Sequence, residues 1–204
     1  MRIIGSLLLL LLTAAIMNAC KKEDAQPLTQ TVANVLTNSD FEITPYQDWT
    51  NNLGKISTTN PTNYSVSYST EAASSPSHSI KVTCSAAPND STYQYMQQIL
   101  YTATTPIPAG AKLTMKVKIK MVNIQGNGIA LAMGGNQGAS AKYASAFYTS
   151  TEGKTSIVGT NEFKEYTLTF DAFPANATSM YVLLFFLPKT TGTAYYDDAS
   201  LSIN

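Results

Sequence analysis

Arginine and histidine are almost missing from this chain of 204 residues, and only 13% of its residues are charged. The single Arg is Arg2 and the single His is His78. From residue 20 onward 12 Lys stand against 13 Asp plus Glu, a net charge of −1. A chain with no basic surplus and no arginine fork for phosphate is not expected to bind nucleic acid. One His also leaves little material for a histidine-based metal centre or proton shuttle.

Cysteine is scarce too, and the first of the two, Cys20, closes a leader-like segment. Arg2 precedes the apolar run 3–16, which is too short for an ordinary membrane span. Ala19 followed by Cys20 resembles the lipobox of bacterial lipoproteins, whose Cys is lipidated and becomes the N-terminus. The charged run 21–24 resembles the surface-export signals of some lipoproteins. We therefore expect a protein anchored by lipid on Cys20 to the bacterial membrane, at the surface of the outer membrane; an ordinary secretory signal with a chance Cys is the alternative.

The second cysteine, Cys84, ends an alternating segment in which Ile80, Val82 and Cys84 share one face. If Cys20 carries lipid, Cys84 has no partner for a disulfide. Its simplest role is that of a small buried apolar residue. A catalytic thiol is not expected, because its only possible His partner would be His78 on the same segment.

Small hydroxyl residues and aromatic rings are abundant, with 26 Thr, 19 Ser, 12 Tyr and 7 Phe. Such side chains favour strands, and period-two patterns separated by turn residues recur along the chain. The clearest is 112–121, where apolar residues alternate with Lys. The predicted strands are 64–68, 78–84, 94–101, 112–121, 128–133, 144–149, 163–170, 179–187 and 194–203. We predict an all-β domain at 32–204, a two-sheet antiparallel β-sandwich (jelly roll), behind a signal peptide at 1–19 and a flexible tether at 20–31.

Several short motifs follow one another in a familiar order. They are Asn38-Ser39-Asp40-Phe41-Glu42, Trp49, Ser77-His78-Ser79-Ile80-Lys81-Val82, Gln97-Gln98, Ile107-Pro108-Ala109-Gly110, Phe163-Lys164-Glu165-Tyr166 and Tyr195-Tyr196-Asp197-Asp198-Ala199. This order, over about residues 35–203, resembles the carbohydrate-binding modules of the CBM4/9/22-like group, within the galactose-binding-domain-like jelly rolls. Phe163 stands where that group often has Trp, Ala199 replaces a common Val, and the turn after Glu42 lacks the usual Gly.

The resemblance implies a structural calcium ion, since many of these modules hold one. Calcium takes six to eight oxygen ligands. Glu42 near the start and Asp197 in the last strand are the expected ligands, with carbonyls near Asp40 and His78 in support. Strict alternation places Asp197 on the same face as Ala199 and points Asp198 outward, so Asp197 is the better candidate of the pair. The alternative is that Glu42 and Asp197 accept backbone hydrogen bonds without a metal.

A sugar site needs flat apolar rings and planar amides, which pair with the faces and hydroxyls of pyranoses. Tyr95 and Gln97 are the first choice, because they share one face of a strand. Trp49 is the second choice, with a core role as its alternative. The other candidates are Tyr93 on the same strand face, and Asn136 and Gln137 in a Gly-rich loop. Tyr64, Tyr143 and Tyr148 are candidates in a broader sense.

Catalysis is not expected. Glu152, Glu162 and Glu165 could in principle supply a glycosidase-type carboxylate pair, but nothing in the sequence brings two of them together. We therefore expect a surface-tethered lipoprotein whose jelly roll binds a poly- or oligosaccharide without acting on it. The alternative is a structural or adhesive surface lipoprotein that grips a protein partner. An exposed aromatic row with nearby amides on one sheet face would favour the glycan.

Overall fold

Antiparallel strands make up most of the chain that the structure describes. The computed structural model describes residues 33–43, 47–53, 63–86, 91–138 and 144–204. Cys20, the predicted leader and the predicted tether therefore lie outside the described residues, and their boundaries stay predictions. The strands are β1 (Thr50–Asn51), β2 (Tyr64–Ser69), β3 (Ser79–Cys84), β4 (Gln94–Tyr101), β5 (Leu113–Gln137), β6 (Ala144–Ser150), β7 (Ile157–Phe170), β8 (Ala177–Phe186) and β9 (Thr191–Ile203). None of the helical structure in these ranges has the length and apolar character that a bilayer crossing requires.

The long strand β5 belongs to two layers. Its first half, up to Gln125, pairs with β9 and most of β7, and its second half, from Ile129, pairs with β8 and β6. The front sheet is therefore β1-β4-β8-β5-β6, and the back sheet is β2-β3-β9-β5-β7. This arrangement confirms the predicted antiparallel β-sandwich of the jelly-roll kind.

The Gly-containing segment 125–128, which separates the predicted strands 112–121 and 128–133, forms a bend within β5 and not a turn between two strands. Asn123, Gly126 and Gly128 have positive φ angles of 52°, 83° and 83°. A Cβ on Gly126 would lie 2.0 Å from the carbonyl oxygen of Lys189, and one on Gly128 would lie 2.5 Å from that of Ile157. These glycines let β5 turn the corner between the sheets while neighbouring backbone packs against it. Two predicted strands thus become one.

The alternation predicted for the start of β5 is confirmed. Leu113, Met115, Val117 and Ile119 are completely buried between the sheets. The lysines between them lie on the outer surface of the back sheet, where they pair with acidic residues of β7 and β9. Cys84 is buried as expected, and burial raises the pKa of its thiol, so the unreactive protonated form is favoured.

Candidate functional site

The outer face of the front sheet carries a continuous apolar and aromatic surface, which we call the aromatic face. Strand register aligns Tyr95 of β4 with Phe185 of β8 and Ala130 of β5, and aligns Gln97 with Leu183 and Ala132. Since side chains alternate along a strand, their neighbours Met96, Val182 and Leu184 point inward and belong to the core. The face comprises Tyr93, Tyr95, Gln97, Ile99, Ala130, Ala132, Gly134, Tyr148, Tyr181, Leu183 and Phe185.

Three rings form a cluster at one end of the aromatic face. Tyr93 and Tyr95 stack with ring centroids 6.3 Å apart and an angle of 27° between their planes. Phe185 meets both rings edge-on, at 5.7 Å from Tyr93 and 6.0 Å from Tyr95. Edge-to-face contacts of this kind hold rings in fixed orientations. Tyr93 is nevertheless 42% exposed, so the cluster presents a ring to the solvent.

Two further tyrosines lie across the sheet. Gly134 of β5 faces Tyr181 of β8 on one side and Tyr148 of β6 on the other. The ring of Tyr181 lies directly over Gly134, because a Cβ built there would be 2.4 Å from the Tyr181 Cζ. Tyr148 is 51% exposed at the margin. A residue without a side chain thus lets an aromatic ring lie flat across the middle of the sheet.

Gln97 supplies a planar amide in the middle of this surface. Within the described residues its side chain makes no hydrogen bond, so both its donor and its acceptor are open to a ligand. The neighbouring Gln98 points inward instead, accepting a hydrogen bond from the Thr37 N–H at 3.0 Å and donating one to the Thr37 carbonyl at 2.9 Å. Of the Gln97-Gln98 pair in the sequence, Gln98 therefore has a structural role and Gln97 is free to bind a ligand.

The aromatic face is uncharged, unlike the outer face of the back sheet. The strand residues that form the front sheet include no Asp, Glu, Lys, Arg or His. Burial raises the pKa of Tyr95, Tyr148 and Tyr181, so these phenols remain protonated at neutral pH. Each hydroxyl can then both donate and accept a hydrogen bond. Such a surface suits a ligand that is itself uncharged, partly apolar and rich in hydroxyl groups.

The remaining residues predicted to bind a sugar do not all lie on the aromatic face. Trp49 is only 4% exposed, packs against Phe41 at 5.2 Å and donates from Nε1 to the carbonyls of Thr37 and Asn38. It therefore has the core role that was its alternative and is not available to stack on a sugar.

Residues 134–138, predicted as a Gly-rich loop, belong mostly to β5, so that prediction was wrong. Asn136 follows Gly134 on the aromatic face, at the end remote from Tyr93, and pairs in register with Ser179. Gln137 points the other way and accepts a hydrogen bond from Asn176. Tyr64 is buried, and Tyr143 lies outside the described residues.

A separate polar cluster forms around Glu42. Its Oε1 accepts hydrogen bonds from the backbone N–H groups of Ser77 and His78, both at 2.9 Å. Its Oε2 accepts one from the Ser77 hydroxyl at 2.8 Å and lies 2.7 Å from Nδ1 of His78. The hydrogen bond with the His78 side chain, together with those from Ser77 and from the His78 N–H, outweighs the opposing effect of burial and lowers the pKa of Glu42 to about 2. Tyr68 stacks on His78 with ring centroids 4.2 Å apart.

Asp197 is also held by the chain's own donors. Its Oδ2 accepts from the N–H groups of Ser74 at 2.6 Å and Ser75 at 3.0 Å, and its Oδ1 accepts from the Ser75 hydroxyl at 2.8 Å and the Asp198 N–H at 2.7 Å. Asp197 is completely buried, and burial raises the pKa of its carboxyl group. Asp198 binds Lys118 at 2.9 Å on the outer surface, as its predicted outward direction requires.

The expectation that Asp197 shares the core face with Ala199 was wrong. Asp198 has a positive φ of 47°, and the register of β9 against β5 shifts between Lys116 and Lys118. This β-bulge reverses the alternation, so Asp197 lies opposite Lys118 on the outer side, beneath residues 74–75.

The carboxylates do not fit a calcium ion as they lie. All four oxygens of Glu42 and Asp197 face N–H or O–H donors, whereas calcium needs six to eight oxygen ligands. Asp40 adds only a 3.4 Å contact from its Oδ1 to the Glu42 N–H. Among the described residues, no three His, Cys, Asp or Glu side chains are grouped so that they could hold a metal. Both carboxylates thus accept hydrogen bonds from the chain itself, and the calcium ion implied by the sequence resemblance is untested.

Comparison with known proteins confirms the fold. No family model and no curated protein matches the sequence. Among solved structures, a CBM4 module matches with a TM-score of 0.55 and 14% identity, over 82% of this chain and 99% of that one. A CBM61 module in complex with β-1,4-galactotriose matches with a TM-score of 0.54 and 11% identity, over 84% and 99%. The enzymatically active domain of bacteriophage CBA120 tailspike protein 4 matches with a TM-score of 0.58 and 13% identity, over 84% of this chain.

The first two of these structures are matched over nearly their whole length, but the present chain spans only 21% of the tailspike chain. The fold is thus a jelly roll of the kind found in CBM4/9/22-like modules, as the sequence motifs predicted. At these levels of identity the likeness concerns the fold alone.

Tyr181, Leu183, Phe185 and Gly134 were missed as parts of the face. Residues 180–187 form a nearly continuous apolar run, so alternation does not distinguish the outer side of β8 from its inner side. Tyr181 was the one available signal, as a polar aromatic residue within that run. Only strand register brings these residues next to Tyr95 and Gln97.

Proposed function

We propose that the aromatic face binds an uncharged poly- or oligosaccharide without altering it. The observation that carries the proposal is the juxtaposition of the Tyr93, Tyr95 and Phe185 rings with the open amide of Gln97 on one uncharged surface. Rings present flat faces to the C–H groups of a pyranose, while the amide and the phenols pair with its hydroxyls. The similar modules of known structure are carbohydrate-binding modules, one of them solved with galactotriose, which supports this class of ligand.

The same surface gives reasons for a non-catalytic role. Cleavage of a glycosidic bond normally uses two carboxyl groups on either side of it. The front-sheet strands carry no Asp or Glu at all. Glu162 and Glu165, considered from the sequence, lie on β7 of the back sheet, where they pair with Lys120 and Lys116. A binding module is therefore the better proposal than a hydrolase.

Binding is tested by affinity electrophoresis of the purified protein in gels containing xylan, β-1,4-galactan or a mixed β-glucan. Retention of the wild type by at least one polymer is expected. Tyr95→Ala and Gln97→Ala should reduce that retention while the melting temperature changes little, because both residues lie outside the core. Because individual contacts with a sugar are weak, we expect a Kd in the millimolar to micromolar range, about −4 to −8 kcal/mol.

Two residues of the back sheet provide matched controls. Tyr166→Ala removes a half-buried tyrosine from β7, and Gln125→Ala removes an exposed glutamine at the corner of β5. Both controls should be retained like the wild type. No retention of the wild type on any glycan would contradict the proposal and favour the adhesive alternative.

We also propose that the protein is a lipoprotein anchored through Cys20, exposed at the surface of the bacterial outer membrane. Support comes from the leader pattern in the sequence, because Cys20 lies outside the described residues. A tether at 20–31 would hold the domain away from the membrane. Cys20→Ser should shift the protein from the detergent phase to the aqueous phase or leave it uncleaved. If the variant partitions into detergent like the wild type, the anchor is not at this residue.

A further inference from the structure

A pocket of about 560 Å³ lies beside the aromatic face, at the end that carries Tyr93. The connection between β6 and β7 forms one wall, and the corner of β5 and the end of β8 form the others. Its lining residues are Asn127, Glu152, Gly153, Lys154, Thr155, Ser156 and Leu187. This volume falls within the range of ordinary small-ligand sites.

The pocket and the aromatic face form one surface. Leu187 follows Phe185 on the outer side of the front sheet, and like Leu183 it is buried without joining the core between the sheets. Its N–H donates to the carbonyl of Gly128 at 2.9 Å, so the pairing of β8 with β5 continues as far as the pocket. On the other side, Glu152 follows β6 closely after Tyr148. Burial above all, and with it Glu152 and Tyr93, raises the pKa of Tyr148.

Buried hydroxyl groups fix the pocket walls. Thr151 accepts a hydrogen bond at Oγ1 from the Leu131 N–H at 3.0 Å, and Ser150 donates from Oγ to the Leu131 carbonyl at 3.1 Å. Thr190 bridges the N–H and carbonyl of Gly128 at 2.8 and 3.0 Å. Burying a polar group costs free energy unless the group is hydrogen-bonded. Here the hydrogen bonds hold the end of β6 and the connection between β8 and β9 against β5. The wall positions are therefore set before any ligand binds.

The chemistry of the pocket differs from that of the aromatic face. Its lining has two hydroxyl groups, one amide, one carboxylate and one ammonium group, but no aromatic ring. Glu152 and Lys154 are exposed, and neither forms an ion pair within the part of the chain that the structure describes. Most other lysines there are matched with a carboxylate. These groups are free to bind hydroxyls, yet they offer no flat surface on which a sugar ring could stack.

We propose that this pocket is a second subsite, which holds by hydrogen bonds a terminal or branching saccharide unit of the glycan whose main part lies on the aromatic face. The proposal rests on the proposed function. A saccharide unit that is bound only through hydrogen bonds must present several free hydroxyl groups. Units at chain ends and branches have more free hydroxyl groups than internal units. The pocket therefore adds affinity only for ligands long enough to reach it.

The test is calorimetric titration with xylo-, cello- and β-1,4-galacto-oligosaccharides of two to six units. The double variant Glu152→Gln/Lys154→Ala should bind the disaccharide as tightly as the wild type, yet bind the longest oligosaccharide of the same series about tenfold more weakly. Lys164→Ala, an exposed lysine on β7, is the control and should match the wild type at every length. Unchanged melting temperatures would show that the fold is intact.

Two results would overturn the subsite while leaving the proposed function in place. The double variant could match the wild type at all lengths, or it could lose the same factor at all lengths. If the wild type binds none of the oligosaccharides and no polymer retains it, the proposed function itself fails, and the subsite fails with it.

Discussion

Replacing Gly134 by alanine moves one ring of the aromatic face without deleting it. The added Cβ would lie 2.3 Å from the Tyr181 Oη and 2.4 Å from its Cζ, whereas ordinary contacts are about 3.5–4.0 Å. The Tyr181 ring must therefore shift by about 1 Å or more, or rotate off the sheet. Since the outer side is open to the solvent, the ring can leave without disturbing the core.

We expect Gly134→Ala to weaken glycan binding by about 1–2 kcal/mol, roughly 5–30-fold in Kd, the range for a displaced aromatic contact. The melting temperature should change little. The matched control is Gly135→Ala, whose Cβ would point inward, 2.4 Å from a ring carbon of Phe147 and 3.0 Å from the Ser179 carbonyl. Overpacking there should cost about 1–3 kcal/mol of stability.

The assay is titration of the best-retained oligosaccharide, together with thermal melting of both variants. The two variants should show opposite profiles, with lost binding in Gly134→Ala and lost stability in Gly135→Ala. Gly134→Ala binding like the wild type, with an unchanged melting curve, would show that Tyr181 takes no part in the site.

Three further predictions concern stability. Glu42→Gln should destabilise the domain by about 1–3 kcal/mol at neutral pH. Because the pKa of Glu42 is lowered from 4.5 to about 2, the stability that its carboxylate adds is present above pH 4.5 and is lost as the pH falls towards 2. Denaturation of the wild type and the variant across that pH range should therefore show the difference in their stability shrinking. Tyr196→Phe should be neutral or stabilising by about 1 kcal/mol in urea denaturation, since the Tyr196 hydroxyl is buried with no hydrogen-bond partner among the described residues. A loss of stability above about 1 kcal/mol would show that the hydroxyl has a partner. Calcium binding is tested by thermal melting with chelator and with excess calcium. Because the oxygens of Glu42 and Asp197 already accept hydrogen bonds from the chain, we expect identical melting curves. A melting temperature that rises with calcium, and no longer rises in Asp197→Ala, would establish the site instead.

Much of the fold could be predicted because alternation is a local property. The Lys-rich start of β5 alternates so regularly that its core residues were evident from the sequence. The bend at 125–128 was not, because the same glycines that suggest a turn also permit one strand to cross between sheets. Likewise the bulge at Asp198 depends on pairing with β5, and strict alternation along β9 gives no sign of it.

The candidate site was predictable only in part. Tyr95 and Gln97 lie two residues apart on one strand, so their shared face follows from the sequence alone. Their neighbours come from β5, β6 and β8, and only long-range register brings these strands together. The pocket at the end of β8 is lined by three separate segments of the chain, and none of them alone indicated it in the sequence.

The central claim is that a glycan binds on the aromatic face. Its most direct measurement is amide chemical-shift mapping by NMR, with isotope-labelled protein titrated with the oligosaccharide of the best-retained polymer. We predict shifts concentrated at residues 93–99, 130–136, 146–150 and 181–187, with residues 113–121 and 162–170 of the back sheet unchanged. Saturable shifts confined to the back sheet, or no shifts at millimolar sugar, would contradict it.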